Sequence, residues 1–206
     1  MTPLLKTGFL IAGLALPSIA SPSDAAAQTG LFRCPRAGTV AIIANHSIIE
    51  AIGPDRADPE ACRMVNTIFR EHRLLFNFWP MPIQGDDAPV RTAMRALVSG
   101  QVKKVTFDIT RNVRSADGRL TGDWLKTTQT LRVLGTETVT IGGKPLNTTI
   151  IEQIENYQGR TDTRRYNMDN ATGVFVRMTE AVRAGRVVLP DFELTSLTAP
   201  PVPPHP

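Results

Sequence analysis

From position 102 to about 197 the chain is a succession of short alternating or β-branched runs, each closed within a few positions by a turn residue. Nearly a hundred residues of that pattern leave no room for crossover helices, which excludes a parallel sheet and predicts an antiparallel meander. Residues 105–109 alternate before Asp117-Gly118, and residues 124–134 alternate up to Gly135. A short strand over 136–141 precedes Gly142-Gly143, and a longer one covers 146–157. The segment 159–162 leads to a strand over 164–168, and Asn170-Ala171-Thr172-Gly173 turns into one over 174–182. Ala184-Gly185 then closes a last hairpin whose second arm runs from 186 to about 197.

Ahead of the meander, β-branched runs at 38–44 and 47–52 flank Asn45-His46 and predict another hairpin. Residues 61–73 fit two patterns. Asp58 and Pro59 suit a helix start with Val65, Ile68, Phe69 and His72 on one face, whereas 62–66 and 67–79 read as strands. The β-favouring run from Leu74 to Trp79 tips the reading toward strand. Asp87-Ala88-Pro89 opens the one clear helix, with Val90, Ala93, Met94, Leu97 and Val98 at helical spacing and Gly100 as its stop. The expected class is therefore mainly β (α+β): a curved antiparallel meander sheet or half-barrel with one amphipathic helix.

The first 27 residues read as a secretory leader: Lys6 supplies the charge, residues 7–16 the apolar stretch, and Ala25-Ala26-Ala27 the small-residue exit before Gln28. An apolar stretch this short does not span a bilayer. Cleavage near Ala27 leaves a single β-rich domain over 28–198 and a proline-rich tail, expected to be disordered, over 199–206. The expected location is the periplasm, with no membrane span once the leader is gone. Among 206 residues, 42% are apolar and 20% charged, which suits a soluble fold and excludes global disorder, collagen or a coiled coil. The formal charge of +4 is scattered among acids rather than gathered in a stripe, so no nucleic-acid partner is expected.

An oxidising compartment favours pairing Cys34 with Cys62 as a disulfide over leaving two buried thiols. Catalytic signatures are missing: there is no Gly-x-Ser-x-Gly elbow and no His-Glu-x-x-His. Gly142-Gly143-Lys144 fails as a phosphate loop because Pro145 follows, and Asn167-x-Asp169 lacks the remaining ligands of a calcium loop. His46, His72 and His205 are too dispersed to predict a metal site, so neither metal nor cofactor is expected. Glu152 and Glu155 read as a solvated strand edge, as do Arg164 and Arg165, which alternation places on opposite faces. What remains is an apolar inventory. Trp124, Val139, Ile150, Tyr166, Phe175 and Phe192 are the candidate lining of a hollow under the helix, in the way a curved sheet carries a greasy ligand.

The run from Val133 to Thr140, the segment Arg165-Tyr166-Asn167-Met168-Asp169, and Gly173-Val174-Phe175-Val176 carry a resemblance across about a third of the chain. This pattern resembles a group of uncharacterised bacterial periplasmic antiparallel-β proteins. That group is in turn similar in architecture to half-barrels that carry lipids or lipoproteins. The resemblance implies an exported, non-enzymatic envelope protein that binds an apolar or lipid-like component in a curved sheet. The alternative is a structural or protein-interaction module of the envelope with a filled core, meeting a protein partner through a sheet edge or the proline tail.

Overall fold

A computed structural model describes residues 31–44, 47–66, 71–81, 83–114, 120–183, 185–188 and 192–201, with side chains left out at 111–114, 120–123 and 187–188. The expected leader, Asn45-His46, Asp117-Gly118 and residues 202–206 lie outside the described residues.

The chain is mainly β with one helix, as expected, but it builds two antiparallel sheets rather than one. The first is assembled from β1 (Val40–Ile43), β2 (Ile48–Pro54), β3 (Ala61–Asn66), β4 (His72–Leu75) and β5 (Trp79–Pro80), with β12 (Leu194–Thr198) added beside β1. The ambiguous segment after Pro59 is thus strand where it is described. The second sheet is a pure meander in chain order: β6 (Lys104–Arg114), β7 (Leu120–Ile141), β8 (Lys144–Tyr157), β9 (Arg160–Asp169), β10 (Phe175–Arg183) and β11 (Arg186–Val188). Neither sheet closes into a barrel.

The two-residue turns follow their sequences. Gly142 and Gly143 both have positive φ, 56° and 77°, and join β7 to β8 with Ile141 opposite Lys144, the geometry whose twist suits a tight hairpin. Gln158-Gly159 does the same between Tyr157 and Arg160.

Two expectations are corrected. Gly135 is no turn: β7 runs through it for 22 residues, and the register with β8 slips by one between Val133 and Gly135. A glycine tolerates the unpaired residue of a bulge, so the strand bends rather than ends. The last predicted arm is also not one strand. Its start pairs with β10 as β11, and its end crosses to the first sheet as β12, where Leu197 faces Ala41.

The helix, α1 (Ala88–Val98), is where periodicity places it. Asp86 Oδ1 accepts the Ala88 N–H at 2.9 Å, and Gly100, at φ 74°, follows the last turn. Val90, Met94 and Leu97 are fully buried against Val105, Phe107 and Leu131, with Leu75, Trp79 and Phe32 completing the main core. On its polar side Arg91 reaches Asp58, Glu60 and Asp87 at 2.8 Å each, fastening the helix to the approach to β3. A smaller core of Ala41, Val139, Ile141, Val176 and Leu194 joins the two sheets at the other end of β7.

The cysteines form the expected bond, Cys34 to Cys62, with Cα atoms 5.3 Å apart. It ties the segment before β1 to the buried start of β3. Just upstream, Phe32 plugs the main core. The proline segment begins within the described residues: Arg36 donates to the carbonyls of Pro200 at 2.7 Å and Pro201 at 3.2 Å.

Candidate functional site: a chamber in two parts

Two cavities of about 340 and 350 Å³ adjoin between the first sheet and the inner face of the second. Leu74, Asn77, Phe175 and Phe192 line both, so the two parts of this chamber meet at a shared wall, its waist. The first part is apolar, walled by Ala41, Ile43, Ile49, Ala51, Met64 and Leu194 of the first sheet together with Val174 and Phe175. The second part is mixed: Trp79 and Met178 share its wall with Gln153, Arg164, Tyr166 and Arg183. Rings crowd the waist. Phe175 lies 5.5 Å from Tyr166 and 5.4 Å from Phe78, and Tyr166 stacks on Phe192 at 6.2 Å.

The turn between β4 and β5 sets one wall. Phe76 and Asn77 occupy the left-handed region at φ 49° and 55°, tolerable for asparagine and costly for a bulky residue. The fold secures that turn: the Phe76 N–H donates to Glu60 O at 2.6 Å, and Asn77 Nδ2 donates to Gly173 O at 2.7 Å. Gly173 is itself obligatory, because a Cβ there would stand 2.5 Å from Arg33 O. Asn77 Oδ1 accepts nothing, and Thr39 Oγ1 and Trp79 Nε1 are likewise buried with no hydrogen-bond partner among the described residues. All three residues wall the chamber.

Beneath the mixed part runs a buried polar relay on three neighbouring strands. Gln129 Nε2 donates to Glu155 Oε1 and Thr127 Oγ1, both at 2.9 Å, and Gln153 Nε2 donates to Gln129 Oε1 at 3.0 Å. The Tyr166 hydroxyl donates to Gln153 Oε1 at 3.3 Å. Arg164 approaches Glu155 at 3.4 Å and Asp162 at 3.5 Å, and Arg183 approaches Asp162 at 3.8 Å. Glu155 and Asp162 are only 2% and 3% exposed. Burial pulls the Arg164 pKa down, but its neighbours Tyr166 and the carboxylates of Glu155 and Asp162 outweigh it, so the net shift is upward and the guanidinium stays charged. Burial, then the Asp162 carboxylate, pushes the Tyr157 phenol up.

The candidate lining divides. Tyr166, Phe175 and Phe192 stand on the chamber wall. Trp124 does not: it is 52% exposed, on the face opposite Thr127 and Gln129. Val139 is packed in the smaller core, and Ile150 lies on the face opposite buried Ile151. The bulge at Gly135 explains the placement of Val139 and Ile150, while simple alternation along β7 turns Trp124 away from Leu131. Continued without a bulge from the Gly142-Gly143 turn, the pairing would set Ile154 opposite Leu131 and bring Ile150 and Ile154 inside. The one-residue slip sets Gln153 there instead and turns Gln153 and Glu155 inward.

The expectation of solvated edges also fails. Arg164 and Glu155 are largely buried on the inner face, while Glu152 and Arg165 pair on the outer one, where Arg165 also meets Glu180 at 2.7 Å.

No group of three or more potential metal-ligating side chains gathers among the described residues, and no helix there is long and apolar enough to cross a membrane. The chain matches no protein-family model, and no curated protein or solved structure matches it.

Proposed function

We propose that the protein is an exported, non-catalytic envelope protein of the periplasm that holds an apolar, lipid-like molecule in the chamber between its sheets. One observation carries this reading: an apolar cavity of about 340 Å³ adjoins a second of about 350 Å³, with Phe175 and Phe192 on the wall of both. Each lies near the small end of the roughly 300–1,000 Å³ range of small-molecule sites. An apolar wall left facing water costs hydrophobic free energy that a bound apolar molecule recovers. Here small residues, Ala41 and Ala51, keep the space open. The disulfide and the leader-like N-terminus support export. The resemblance to periplasmic β-proteins points the same way.

Native mass spectrometry of the protein purified from the periplasm, with organic extraction of whatever accompanies it, tests the reading. The expected result is a reproducible lipid-sized adduct. A clean mass of the bare chain under gentle conditions overturns it and favours the interaction-module alternative.

A further inference from the structure

We propose that the ligand is a single-chain amphiphile with an anionic head, its chain in the apolar cavity and its head against Arg164 and Arg183; this rests on the reading above. The chamber is asymmetric in charge. No ionisable side chain walls its apolar part, whereas two guanidinium groups wall the other. The acids that balance them, Glu155 and Asp162, lie beneath rather than on the wall. Their contacts with the arginines, 3.4 to 3.8 Å, are longer than the roughly 2.7–2.9 Å of a full charge-assisted hydrogen bond. An oxyanion at the guanidinium edge therefore gains short bonds that the resident carboxylates leave unmade.

The two guanidinium groups are donors only, so they favour a head with acceptor oxygens. A cationic head finds no carboxylate on the wall. The volume of the apolar part suits a single acyl chain.

The test titrates three probes with the same chain into the folded protein stripped of bound lipid: dodecanoate, methyl dodecanoate and dodecyltrimethylammonium. Trp79 fluorescence in a Trp124→Phe background reports binding, since Trp124 is exposed on the far face. Calorimetry gives the affinities. The expected order places dodecanoate about tenfold or more ahead of both others. Arg183→Gln removes about tenfold of dodecanoate affinity and leaves the methyl ester unchanged. Arg183 is chosen because its single ion pair is 3.8 Å long and its side chain 27% exposed, so its loss is tolerable to the fold. Arg164→Lys, which keeps a charge over Glu155 and Asp162, is the second variant and loses affinity in the same direction.

Equal affinity for the three probes, unmoved by either variant, overturns the head-group assignment and leaves the apolar-ligand reading standing. Preference for the cation also overturns it. Binding of none of the three overturns both.

Discussion

Gln129 and Leu131 are two residues apart on β7 and share one face, yet they belong to different worlds. Around Leu131 the sheet is covered by α1, Leu75 and Trp79, and every apolar side chain has a partner. Around Gln129 the same face carries a relay of amides, carboxylates and arginines, and the first sheet stands off to leave a chamber. Closeness of the covering element makes the difference. Where a helix lays an apolar stripe on the sheet, volume is filled and stability accrues; where a sheet edge and an aromatic turn arch over it, polar groups satisfy one another and space remains. A scaffold that keeps one end dense is able to hold the other open.

Truncations at the two ends give the sharpest break. Leu97→Ala, in the dense end, is expected to cost up to about 5 kcal/mol, the upper range for a buried leucine that leaves a cavity. Phe192→Ala, at the waist, is expected to cost less than about 1.5 kcal/mol, because it enlarges a space that already exists, while weakening dodecanoate binding. Urea unfolding of both variants checks the pair. Equal stability losses would erase the distinction between dense and open ends.

Next in size is the disulfide, which lies at the border: Phe32 enters the dense core, Pro35 walls the apolar cavity, and Cys34 anchors both to β3. The Cys34→Ser, Cys62→Ser double variant is expected to lose about 3–4 kcal/mol on the chain-entropy account. It is also expected to bind apolar probes more weakly, by thermal melts and titration respectively.

The smallest effect concerns the clasp of the dense end. A hydrogen bond from Arg91 holds the Asp58 carboxyl below its ordinary value of 3.8, and hydrogen bonds from Arg95 and then Arg91 hold Glu60 below 4.5. Folded values lower than unfolded ones add stability above the unfolded values, and that stability is lost as pH falls through the folded ones. Arg91→Met is therefore expected to cost about 1 kcal/mol near pH 7, discounted for partial exposure, and almost nothing near pH 2. Melts at the two pH values measure the difference. A gap that persists in acid would assign the role to packing of the arginine stem instead.

Much of this architecture is legible in the chain. The helix with its stripe of Val90, Met94 and Leu97, the tight turn at Gly142-Gly143 and the antiparallel order of the meander all follow from local rules of spacing and φ. Within the site, Tyr166 and Phe175 were recognisable as large side chains on strands, and Phe192 as one more in the expected last arm, although it stands between β11 and β12. Gln153, Glu155, Arg164 and Arg183 were not, because polar residues on a strand read as solvated until their neighbours are known.

Local chemistry, then, determined the helix, the tight turn at Gly142-Gly143 and most of the strands, though not the passage of β7 through Gly135 or the division of the last arm, and left Cys34 and Cys62 as a natural pair, since spacing and backbone preference act within or near each segment. Tertiary structure alone decided which face is inside. One unpaired residue, Leu134 beside Gly135, shifts the β7–β8 register and exchanges isoleucine for glutamine and glutamate on the inner face. The departure of β12 from the meander to lie beside β1 builds the wall opposite. Both choices rest on contacts between residues far apart in sequence, where the free energy of packing two sheets outweighs the preference of any single strand.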